Sequence, residues 1–160
     1  MSTPNSQLST LNSQLYMRRA LELAALSGAE GEVPVGCVVV HKDGRIVGEG
    51  RNRREGARDA LAHAELEAIA AACAALGGWR LHECDLYVTL EPCPMCAGAA
   101  INARLRRVVY GASDPKAGAC GSRIDLFAHG FNHRPEVSGG VLAGECGEIL
   151  SGFFRGLRGL

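Results

Sequence analysis

The chain has 160 residues, 47% of them apolar and 21% charged, with a formal net charge of zero. That length and balance suit one folded domain with a buried core, and they exclude a protein whose partner is announced by a global excess of one charge. No apolar run approaches the roughly 20 residues of a membrane span, and the start lacks the basic and apolar segments of a secretory signal, so a cytoplasmic location without a membrane anchor is expected.

Residues 1–14 are mostly Ser, Thr, Asn and Gln, and Asn-Ser-Gln-Leu occurs at 5–8 and again at 12–15, which predicts a disordered extension over 1–14 ahead of a domain spanning 15–160. From about Leu15 to Ser27, apolar residues at helical spacing predict a helix stopped at Gly28. Val35 to Val40 reads as a strand, Asp43-Gly44 as a tight turn and Ile46 to Gly50 as the hairpin partner. Asn52 to Asp59 is a polar loop with Arg51, Arg53, Arg54 and Arg58 in and around it. Asp59 is positioned to cap a helix from about Ala62 to Leu76, ended by Gly77-Gly78. A strand at Leu86 to Leu90 precedes a helix opened by Pro92 and running to about Ala103. A strand at Val108 to Tyr110, a glycine-containing loop from Ser113 to Ser122, a strand at Val137 to Leu142 and a helix from about Gly144 to Leu157 complete the order. Helices alternating with strands after a hairpin predict an α/β fold: a single mixed sheet of about five strands with helices on both faces.

Two clusters carry chemistry. His63-Ala64-Glu65 and Pro92-Cys93-Pro94-Met95-Cys96 both fall at helix starts, which in such sheets are where ligands bind. The exposed N–H groups and positive dipole end there favour thiolate over thiol at Cys93 and Cys96. Two thiolates and one imidazole leave one position of a tetrahedral zinc open, the arrangement of a catalytic and not a structural ion. Glu65, two residues after His63, is turned about 200° around a helix from it, so it is expected beside the metal as a proton shuttle and not as a ligand. Cys-x-x-Cys by itself equally suits a redox pair or half of a structural zinc site, for which His82 and Cys84 are the nearest further ligands. Seven cysteines without a signal segment fit a reducing compartment, with Cys37, Cys73 and Cys120 as small buried residues.

The His-x-Glu…Pro-Cys-x-x-Cys order is that of the zinc deaminases. Together with Glu32-Val33-Pro34-Val35-Gly36, the run from Tyr87 through Gly98, Asp114-Pro115-Lys116-Ala117-Gly118 with Gly121-Ser122, Asn132-His133-Arg134 and Phe153-Phe154-Arg155, it makes residues 16–158 resemble the bacterial tRNA-specific adenosine deaminases. The resemblance implies a cytidine deaminase-like three-layer fold and a homodimer that converts the wobble adenosine of a tRNA anticodon loop to inosine. It implies zinc on His63, Cys93 and Cys96, with Glu65 moving protons. It implies Asn52 and the backbone around Ala64 at the flipped base, Asp114 at sugar hydroxyls, Lys116 at the RNA backbone, and Phe154 and Arg155 bordering the RNA. Where many relatives have Asp-Pro-Thr-Ala, this chain has Asp59-Ala60-Leu61-Ala62, which loosens the way into the helix without touching a ligand. The alternative is a zinc deaminase of a free base or nucleoside such as guanine or cytosine, with the same zinc and glutamate and no use for basic loops.

Overall fold

The computed structural model describes residues 4–158. Its core is one five-stranded mixed sheet: β1 (Gly36–His41), β2 (Ile46–Arg51), β3 (Cys84–Leu90), β4 (Arg107–Ala112) and β5 (Glu136–Ser138), in spatial order β2-β1-β3-β4-β5. β1 runs antiparallel to β2 and β3, whereas β3, β4 and β5 are mutually parallel. The β-branched run in β1 and the buried β3 are the near-continuous apolar strands expected of a sheet covered on both sides.

Alternation along the strands divides the core. Cys37 and Val39 join Leu86, Val88 and Val108 beneath α3 (Ala64–Leu76) and α4 (Pro94–Asn102). Val38 and Val40 join Tyr87 and Val109 beneath α1 (Pro4–Ala29) and α5 (Ala143–Arg158). The result is the expected three layers, helices over sheet over helices. A single helical turn, α2 (Arg54–Ala57), lies in the polar loop. No helix among the described residues is long and apolar enough to cross a membrane.

The alanine-rich α3 sits unusually close to β2. A Cβ on Gly48 or Gly50 would fall on the carbonyl oxygens of Ala68 or Ala64, so only glycine admits this approach. The first turn of α3 is thereby pinned against the sheet, next to the start of α4.

Several boundaries differ from the pattern in the sequence. α1 starts at Pro4, not Leu15, and so enters the segment expected to be a disordered extension; residues 1–3 lie outside the described residues. Extending an existing helix is far easier than nucleating one, and the packed stretch from Met17 to Ala24 provides the nucleus. Asp59 does not cap α3. Its Oδ1 accepts the Leu61 N–H at 2.8 Å in a local turn, and the N-cap is His63. Pro92 does not open α4. Pro94 takes the first helical position and Cys93 the N-cap. β5 ends at Ser138 because Gly139 packs against the Tyr110 ring and Gly140 turns the chain at φ 91°.

Candidate active site

His63 and Cys93 occupy equivalent positions, the N-caps of α3 and α4, both in extended backbone and neither capping its helix with the side chain. An N-cap side chain normally accepts from an N–H of the first turn. Here both are turned toward each other. His63 Nδ1 lies 3.7 Å from Cys93 Sγ and 3.5 Å from Cys96 Sγ. Zinc–sulfur and zinc–nitrogen bonds of about 2.3 and 2.1 Å at tetrahedral angles span an edge of about 3.6 Å, so the donors stand at the spacing such an ion requires. They form the single such triad of possible metal donors among the described residues. His82 and Cys84 do not join it: His82 stands beside Glu83, and Cys84 is buried at the start of β3. No fourth donor joins the three among the described residues.

Of the three donors, only Cys93 is shifted toward the deprotonated form that a metal ligand needs. Cys96 donates toward Cys93, and with His63 alongside this lowers the Cys93 thiol to about 4 despite partial burial. The proton stays with Cys96, whose value is raised because it donates to the Cys93 thiolate and is buried. The His63 ring is raised chiefly by its contact with Cys93. Glu65 is 5% exposed, and burial pushes its carboxyl above the usual range. Burial disfavours the charged form of this carboxyl, so it takes up a proton more readily than an exposed glutamate does. Because His63 precedes the helix, the 200° offset between two helical residues does not apply to the pair. Glu65 lies inside the first turn, beside Cys96, and outside the donor triad.

A cavity of about 170 Å³ opens over this cluster, lined by His63, Ala64, Glu65, Cys93, Asn52 and Asp114 among others. It is smaller than the roughly 300 Å³ at which drug-sized pockets begin, a scale that admits one flat ring system. Asn52 is engaged on both sides of its amide: Nδ2 donates to Val33 O at 3.1 Å and Oδ1 accepts Arg54 N–H at 3.1 Å. Each group retains capacity for one further bond. Asp114 Oδ1 accepts the N–H groups of Lys116 and Ala117 at 3.0 and 3.2 Å, holding a tight turn. Lys116 is not in the cavity. It lines a second depression with Ser151, Phe154 and Arg155, so the loop from Asp114 to Lys116 bridges the two. Phe154 is 42% exposed and meets Phe153 edge to face, and Arg155 pairs with Glu148 at 2.7 Å.

Three residues of this region were marked only in part by the sequence: Arg54 as one of the arginines of a basic loop, Glu32 and Glu91 as members of motifs with no role of their own. Arg54 lines the cavity with no ion pair among the described residues. Glu32, 3% exposed, accepts the Glu55 and Gly56 N–H groups at 2.9 and 2.7 Å and so holds α2 in place. Glu91, 2% exposed, also lines the cavity. Both acids stand inside motifs that were legible, and an acid flanked by strand residues and proline signals a buried anchor.

A family model for MafB19-like deaminases matches residues 11–158. The tRNA-specific adenosine deaminase of Bacillus subtilis is 50% identical over 146 residues, covering 91% of this chain and 90% of that protein. The tRNA(Ile)-lysidine synthase of Deinococcus radiodurans is 51% identical over 142 residues, of which this chain spans 24% of the length. Among solved structures, one from work on A-to-I editing by tRNA:A34 deaminases at the wobble position superposes with a TM-score of 0.81 at 47% identity, covering 84% of this chain and 98% of the other.

Proposed function

This chain belongs to the tRNA-specific adenosine deaminase family, and we propose that it hydrolytically deaminates the wobble adenosine of a tRNA anticodon loop to inosine. The observation that carries the reading is the donor triad at two helix starts beneath a ring-sized cavity, with buried Glu65 beside it. His63, Cys93 and Cys96 hold zinc, which supplies the Lewis acidity that makes water a nucleophile at neutral pH. Glu65 carries the protons, first to a ring nitrogen and then to the departing amine. The cavity takes the extruded base, and the unpaired anticodon loop lowers the extrusion cost.

Asn52 and the backbone at Ala64 bind the base, Asp114 the sugar hydroxyls and Lys116 the RNA backbone, with Phe154 and Arg155 bordering the strand. Their support is the continuity of the cavity, the Asp114–Lys116 turn and the second depression. We further propose a homodimer whose domain spans 15–160, working in the cytoplasm, where its seven cysteines remain thiols or metal ligands. Offering an anticodon stem-loop with adenosine at position 34 beside free guanine and cytosine tests the substrate class. Inosine from the RNA alone is expected. Turnover of a free base with the RNA untouched contradicts the proposal.

A further inference from the structure

The loop that bears Asp114 and Lys116 is buried at Ala119 and Cys120 and is otherwise largely polar. Its 114–122 segment wraps one buried carboxylate. Glu91 Oε1 accepts the Asp114 N–H at 3.1 Å and the Ser122 hydroxyl, while Oε2 accepts the N–H groups of Cys120 at 3.0 Å and Ser122 at 3.1 Å. The loop closes over it tightly: a Cβ on Gly118 would overlap the Glu91 carboxyl carbon. The chain on either side adds Glu91 N–H to Ala112 O and Ala119 N–H to Pro92 O, both 2.8 Å. Glu91 is two residues before the N-cap Cys93 of α4 and at the end of β3. It therefore joins the substrate loop to the segment that presents the first thiol.

From this geometry we infer that Glu91 is a positioning residue: its carboxylate fixes the 113–122 loop in register with the metal cluster, so that Asp114 and Lys116 meet the RNA when the base is in the cavity. All four bonds require an acceptor. An amide in its place keeps the shape but turns an NH₂ toward N–H and O–H donors, so part of the set is lost and part becomes repulsive. Glu91 bonds to the loop and to no proposed ligand, so its loss falls on substrate binding and not on metal retention or on proton transfer by Glu65.

The inference rests on the RNA-deaminase reading and is tested in two arms. Hydrogen exchange on the unliganded zinc protein reads the loop without any substrate. The Cys120 and Ser122 amides are expected to be protected in the wild type and to exchange at least about tenfold faster in Glu91→Gln, as befits the loss of a charge-assisted bond. Kinetics on the adenosine-34 stem-loop read the consequence. KM is expected to rise about tenfold or more with kcat within about threefold and zinc content unchanged. Ser122→Ala, which removes one donor and leaves the acid, should move KM the same way by less, and the double variant should fall short of the product of the two effects. Unchanged amide protection, or a fall in kcat at unchanged KM, overturns the inference. Should Glu91→Gln not fold, unchanged KM and Ser122 amide exchange in Ser122→Ala overturn it as well. A wild type that makes no inosine contradicts the substrate reading instead, while the exchange arm still decides whether Glu91 holds the loop.

Discussion

Glu65 is a residue whose surroundings define its task. It is buried, its carboxyl is raised by desolvation, and it lies against Cys96 without joining the donor triad. Glu65→Gln should therefore retain zinc and lower kcat by about 10²–10⁴, the usual worth of a positioned acid–base group. Metal analysis alongside turnover checks both parts, and a variant that loses zinc removes Glu65 from the shuttle role. That His63, Cys93 and Cys96 come together was legible from motif order and spacing, because few residue types can hold a metal. Their mode of presentation was not. Histidine and cysteine are not favoured N-caps, so nothing in the composition put His63 and Cys93 just outside their helices. Glu91 escaped notice for a related reason: an anchor is defined by the N–H groups around it, and those come from a loop 23 to 31 residues further on.

At the scale of elements, the seat of α3 on β2 brings the two helix starts together. Gly50 permits it, since a Cβ there would strike Ala64 O in the first turn of α3. Gly50→Ala is expected to destabilise the fold by about 1–3 kcal/mol, as overpacking does, and to lower zinc affinity by shifting His63. Urea unfolding with a zinc titration checks both. α1 is tied to the same hairpin by a two-pronged pair, Arg19 Nε and Nη2 to the two oxygens of Glu49 at 2.7 and 3.0 Å. Arg19 holds the Glu49 carboxyl below its usual value. A carboxyl whose folded value is depressed stabilises above its unfolded value near 4.3 and loses that contribution as pH falls through the folded value. Thermal melts should show wild type above Glu49→Gln at pH 7 and the two converging toward pH 3. A gap that stays constant with pH contradicts the pairing. The order of elements and the two-sided sheet were plain in the sequence, because runs such as Val38-Val39-Val40 and the alanine pattern of α3 have clear periods. The edge strand β5 and the single turn α2 were not, because short polar segments are shaped by neighbours and not by periodicity.

For the whole molecule, a net charge of zero conceals an uneven surface. Arg106 and Arg107 are engaged by Asp85, Arg51 by Glu30 and Arg53 by Glu67. Arg54, Arg58, Lys116, Arg123 and Arg134 form no ion pair among the described residues, and Arg54 and Lys116 line the two linked depressions. Cationic side chains left unpaired at a ring-sized cavity suit a base flanked by phosphates better than a free base, which needs no such rim. The proposed function requires this rim and the cavity to act together on adenosine 34. The direct measurement is nucleoside analysis of an anticodon stem-loop after incubation with the zinc-loaded protein, with Glu65→Gln as control. Inosine appearing at position 34 with the wild type and not with the variant is the predicted result. Adenosine remaining intact at that position under conditions in which the protein retains its zinc contradicts the account.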